Sequence, residues 1–113
     1  MATLDDLKSE TQLTTSVQAL VSTTSSEKKF IGNMTLTNTS TSNVEVTFWR
    51  IATSSTETTG SSGNSLFTMT IPANDWVKVQ KMSGHVLGHS MKLSAVAATT
   101  GVINVDISGT TET

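Results

Sequence analysis

The sequence has no cysteine and no tyrosine, one proline, two tryptophans and two histidines among its 113 residues. Without cysteine the fold cannot rest on disulfides or thiolate metal sites, so the chain suits assembly in a reducing cytoplasm. Charged residues make up only 14%, the formal net charge is −2, and no basic run exceeds Lys28-Lys29. Nucleic acid and anionic membranes attract a denser positive footprint, so neither is an expected partner. No apolar run approaches the roughly 20 residues of a spanning helix. The acidic opening, with Asp5 and Asp6, also lacks the basic end and apolar centre of a secretory signal.

What fills the chain instead is serine and threonine, about a third of all residues. Threonine's branched Cβ suits a pleated strand, and serine suits turns, so the composition leans towards β structure. The length fits one domain, with residues 1–11 as an N-terminal arm, 12–109 as the folded unit and 110–113 as a tail. In the arm, Thr3 is placed to cap a short helix carrying Leu4 and Leu7 on one side. A lone helix of that size is marginal in water, so the arm is expected to order on docking.

Beyond it, period-two alternation recurs in short runs. Residues 16–21 form a weak first strand. Over residues 30–38, Phe30, Gly32, Met34 and Leu36 share the expected core face. A polar turn at 38–43 leads to residues 44–51, where Val44, Val46 and Phe48 alternate, and an antiparallel hairpin is expected between the two runs. Residues 53–65 are nearly all serine, threonine and glycine, and predict an exposed loop. Residues 66–71 and 76–82, joined by a turn at Pro72, suggest a second hairpin. Residues 91–97 and 102–108 supply the last strands, with Met91, Leu93, Ala95 and Ala97 on one face of the first and Ile103, Val105 and Ile107 on one face of the second. About seven short strands without a long helix predict an all-β fold, an antiparallel two-sheet β-sandwich or jelly roll.

Two runs carry apolar groups on both faces. Trp49 and Ile51 lie opposite Val46 and Phe48, and Trp76 and Met82 opposite Val77 and Val79. Tryptophan is enriched at interface hot spots, so Trp49, Ile51, Trp76 and Met82, with Leu4 and Leu7 of the arm, are the candidate protein interface. The alternative is that Trp49 and Trp76 close the ends of one core. Inward apolar side chains are too few to offset backbone ordering by themselves, at about 1–2 kcal/mol per residue. Contacts in a homo-oligomer are therefore expected to help.

Chemistry-bearing constellations are scarce. His85 and His89 have a metal-ligand spacing only on a helix, which Gly84 and Gly88 disfavour. Glu45, Asp75 and Asp106 have no evident acid–base partner, no G-x-S-x-G turn occurs, and Gly60-Ser61-Ser62-Gly63 lacks the lysine of a phosphate loop. The expectation is no enzyme, no metal and no cofactor. The glycosylation patterns at Asn33 and Asn38 are short enough to arise by chance in a threonine-rich chain.

The segment Met34-Thr35-Leu36-Thr37-Asn38-Thr39-Ser40, followed by Val44-Glu45-Val46-Thr47-Phe48, resembles a hairpin of small β-sandwich structural proteins of tailed bacteriophages. The order of later motifs is similar too: a Ser/Thr/Gly loop, Ile71-Pro72-Ala73-Asn74-Asp75, Met91-Lys92-Leu93-Ser94-Ala95, and Ile103 to Gly109. Where such relatives have Gly-Asp, this chain has Gly88-His89-Ser90. The resemblance implies a non-enzymatic virion protein made in the host bacterial cytoplasm. Its expected role is capsid decoration or cementing against the major capsid protein, with a neck, tail or fibre-attachment subunit as the alternative. A glycan-binding adhesin module is the rival from another class, since an exposed Trp49 or Trp76 would stack on a sugar ring.

Overall fold

The structure, a computed structural model, describes residues 2–54 and 65–113. Its strands are β1 (Ala2–Gln12), β2 (Gln18–Ser22), β3 (Lys28–Asn38), β4 (Val44–Ala52), β5 (Ser65–Ile71), β6 (Trp76–Lys78), β7 (Val86–Leu87), β8 (Met91–Ala97) and β9 (Ile103–Glu112), with a 3-10 turn at Gln80–Met82. One sheet runs β1-β9-β3-β6, with β7 also on β3, and the other runs β2-β8-β4-β5. All pairings are antiparallel. The two sheets pack face to face as a β-sandwich. Counting β6 and β7 as one interrupted strand, every connection switches sheet except β4 to β5, which is the connectivity of a jelly roll.

The core lies between the sheets. Met34, Leu36, Val105 and Ile107 enter it from the first sheet, and Val46, Phe48, Leu93 and Ala95 from the second. The shared faces expected for β4, β8 and β9 are the ones turned inward.

Both expected hairpins are corrected. β3 and β4 lie in different sheets, as do β5 and β6. Asn38 shows why the chain crosses. Its buried side-chain amide donates to the carbonyls of Ser42 (2.8 Å) and Ile71 (3.0 Å), and its oxygen accepts from the Ser40 N–H (2.9 Å) and Oγ (2.8 Å). The polar turn is thereby folded over the end of the sandwich. Thr23 does similar work at the other end, where its hydroxyl donates to the Gly88 carbonyl at 2.5 Å and accepts from the Met91 N–H at 2.9 Å.

The arm is also corrected. Residues expected as a short helix form β1, which pairs with β9 from Ala2↔Glu112 to Gln12↔Asn104. An isolated helix with two leucines gains little, whereas pairing with the ten-residue β9 satisfies backbone groups on both strands. For the same reason β9 continues through the expected tail to Glu112. Of the loop expected at residues 53–65, residues 55–64 lie outside the described residues.

Two local irregularities reset which side chains face inward. In β3, Ile31 pairs with Gly109 and Asn33 with Ser108, leaving Gly32 as the extra residue of a bulge. Ile31 therefore turns into the core and Phe30, expected there, turns out. A Cβ at Gly109 would overlap the Phe30 carbonyl oxygen, so only glycine fits opposite the bulge. After β6 the 3-10 turn at Gln80–Met82 breaks the alternation, and Met82 joins Val79 in the core.

Candidate interaction face

The two outer faces of the sandwich differ sharply. Four large apolar side chains are exposed among the described residues: Leu4 (92%), Trp76 (63%), Phe30 (44%) and Val86 (44%). All four stand on the outer face of the first sheet. Leu4 pairs with Thr110, Thr110 with Phe30, and Phe30 with Val86, so three of them form one row across β1, β9, β3 and β7. Trp76 lies at the far end, in the row Gln12, Asn104, Thr37, Trp76. The bulge at Gly32 creates this row, because it is what presents Phe30 to solvent.

The same face divides by charge. Its β1 and β9 columns carry Asp6, Glu10, Asp106 and Glu112, and its β3 and β6 columns carry Lys28 and Lys78, all exposed. Lys8 does not interrupt the acidic half, since it pairs with the inward-facing Ile107 and is half-buried. Lys28 pairs directly with Glu112, and Lys78 with Thr35. Between the two apolar ends the surface is a shallow groove over Glu10, Thr35, Thr37, Asn104 and Asp106.

The second sheet turns a different surface outward. Trp49 points away from the core cluster yet is only 1% exposed, and its cross-strand neighbour Ser94 is fully buried. Neither the Trp49 indole N–H nor the Ser94 hydroxyl has a hydrogen-bond partner among the described residues. Val96, on the same face, is buried as well.

The six candidate interface residues therefore scatter. Leu4 and Trp76 share the exposed face. Ile51 is half-buried, and Leu7 packs partly against the core. Met82 and Trp49 are buried and offer no surface, the first because of the 3-10 turn. Sequence reasoning missed Phe30 and Val86. The available signal was glycine inside a strand, which often marks a bulge.

No metal-ligating cluster of three or more His, Asp or Glu occurs among the described residues. His89 Nδ1 lies 3.1 Å from the Glu27 carbonyl oxygen, a link between loops. Among the described residues no helix is long and apolar enough to cross a membrane. No protein-family model matches the sequence, and a search of curated proteins finds no similar one.

Proposed function

We propose that the protein is a non-enzymatic structural subunit of a bacteriophage particle that decorates or cements the capsid through protein–protein contacts. The observation that carries the assembly role is the gathering of Leu4, Phe30, Val86 and Trp76 on one sheet face. Scattered exposed apolar residues need no explanation, whereas several on one flat surface interspersed with charge are what an interface requires. The jelly-roll connectivity, common among viral capsid and lectin domains, supports the virion setting at the level of architecture. The motif resemblance to tailed-phage structural proteins supports it from the sequence.

The test is direct. Purified native particles are expected to contain the chain in many copies, and particle images are expected to place it on the head surface. Its absence from particles overturns the proposal, and its location at the neck or tail replaces the decoration role with the attachment role. A glycan-binding reading is favoured by one feature, the 63% exposed Trp76 beside the Asn74-Asp75 turn. Glycan-array screening separates the two, since strong binding that Trp76→Ala removes would favour the adhesin.

A further inference from the structure

We infer that the outer face of the first sheet docks on the same face of a second copy of this chain, stacked about a two-fold axis running along the strands between β9 and β3. This rests on reading that face as an assembly surface, and it names the occupant. Rotation about such an axis exchanges the β1 and β7 columns, and the β9 and β3 columns, while each cross-strand row stays at its own level. Leu4 then meets Val86 of the second copy, and Thr110 meets its Phe30. At the far end Gln12 meets Trp76. Because the axis is two-fold, every contact occurs twice, as in an isologous dimer.

Charge selects this arrangement. The rotation lays the acidic half of one face on the basic half of the other. Glu112 meets Lys28, pairs that already alternate within each sheet. Glu10 stands in the β1 column between the residues that pair with Ile107 and Val105, the level of Asp106, and so it meets Lys78. Opposite charges across an interface fix register and exclude wrong partners.

Area is adequate. Four strands at about 4.8 Å spacing and a rise of about 3.3 Å per residue give a face of about 19 by 36 Å along the eleven-residue β3. That is roughly 700 Å² per copy, close to the roughly 800 Å² per partner of a standard interface. Edge pairing through β1 is the competing geometry, and the strand is built against it. Register shifts fall between Asp6 and Lys8 and between Lys8 and Thr11, and Glu10 has φ 52°. Bulges of this kind blunt a sheet edge.

Sedimentation equilibrium of the full chain in the micromolar range is expected to give twice 11.9 kDa. Leu4→Lys and Lys28→Glu, both at exposed positions, are each expected to weaken the dimer about tenfold or more while the far-ultraviolet circular dichroism stays unchanged. The exchange Lys28→Glu with Glu112→Lys is expected to restore it. Because the chain has no cysteine, mixed Leu4→Cys and Val86→Cys variants with a short bis-maleimide are expected to cross-link to each other more than either does to itself. A chain that stays monomeric overturns the inference, as does a dimer untouched by Leu4→Lys or one in which Leu4→Cys links chiefly to itself. If the monomer still decorates particles and Leu4→Lys abolishes decoration, the assembly role stands with a different occupant. If the dimer forms as described but the chain is absent from particles, it is the virion role that fails.

Discussion

The two tryptophans stand on the outer faces of opposite sheets and have opposite fates. Trp49 is 1% exposed next to Ser94, and Trp76 is 63% exposed at the end of a charged, apolar-tipped surface. Both stand on strand faces that alternation points away from the core. Around Trp49 one outer face is therefore closed within the chain, although its Glu45, Thr68 and Thr70 are exposed, and the other is left open at its apolar side chains. Apolar surface removed from water within one copy contributes to folding, while apolar surface left open contributes only when a partner covers it. The difference separates apolar surface that already contributes to folding from apolar surface that would contribute only on association.

Truncating the closed face should have the largest effect. Trp49→Ala is expected to lower unfolding free energy by about 3–5 kcal/mol, the usual cost of removing a large buried aromatic, measured from urea unfolding midpoints. Loss of less than about 1 kcal/mol would erase the distinction between the faces. Next is the bulge that makes the open face. Gly109→Ala drives a methyl group into the Phe30 carbonyl and should cost about 1–3 kcal/mol, as overpacking does. It should also shift the backbone amide resonances of residues 30–33, since the bulge must move to admit the methyl.

Why alternation revealed one part of this arrangement and not the other is a matter of range. Val44, Val46 and Phe48, or Ile103, Val105 and Ile107, face inward because successive side chains of a strand point to opposite sides, and a run of five residues carries that information. Which strand lies next to which depends on distant segments. Asn38 looked like a turn residue, as it is, but its bond to the Ile71 carbonyl sends the chain across the sandwich instead of back along it. β1 had little pattern to read because it is an edge strand whose partner, β9, lies at the other end of the sequence. Single-residue shifts did the rest. Gly32 exchanged Phe30 for Ile31, and the 3-10 turn moved Met82 inward, so the candidate interface kept Leu4 and Trp76, lost Met82, and lacked Phe30 and Val86. Trp49 was legible as outward-facing, but burial on that side is not written in its neighbours' period.

A smaller effect of opposite sign would sharpen the account of the closed face. Ser94 is fully buried with its hydroxyl unpartnered among the described residues. A buried hydroxyl without a hydrogen bond is unfavourable, so Ser94→Ala is expected to raise stability, by about 0.5–1 kcal/mol. A loss of stability would mean that the hydroxyl is bonded in solution, by water for example, and that the closed face is wetter than its exposure indicates.

The smallest expected change in stability is at Trp76. Because the side chain is mostly in solvent, Trp76→Ala should leave the unfolding midpoint within about 0.5 kcal/mol of the unaltered protein, although the residue type and strand setting match those of Trp49. Its effect should appear in association, since a large exposed aromatic gains its burial only when another surface arrives. Fluorescence separates the two sites without mutation of either. In dilute protein, acrylamide should quench one tryptophan readily and leave the other protected, and raising the concentration should protect the quenchable one. If both are protected in the dilute monomer, Trp76 is covered within the chain and the open face is smaller than its four apolar side chains imply. If the quenchable one remains so at high concentration, the far end of the face, where Trp76 stands, is not covered on self-association, and any dimer must be confined to the Leu4–Phe30–Val86 row.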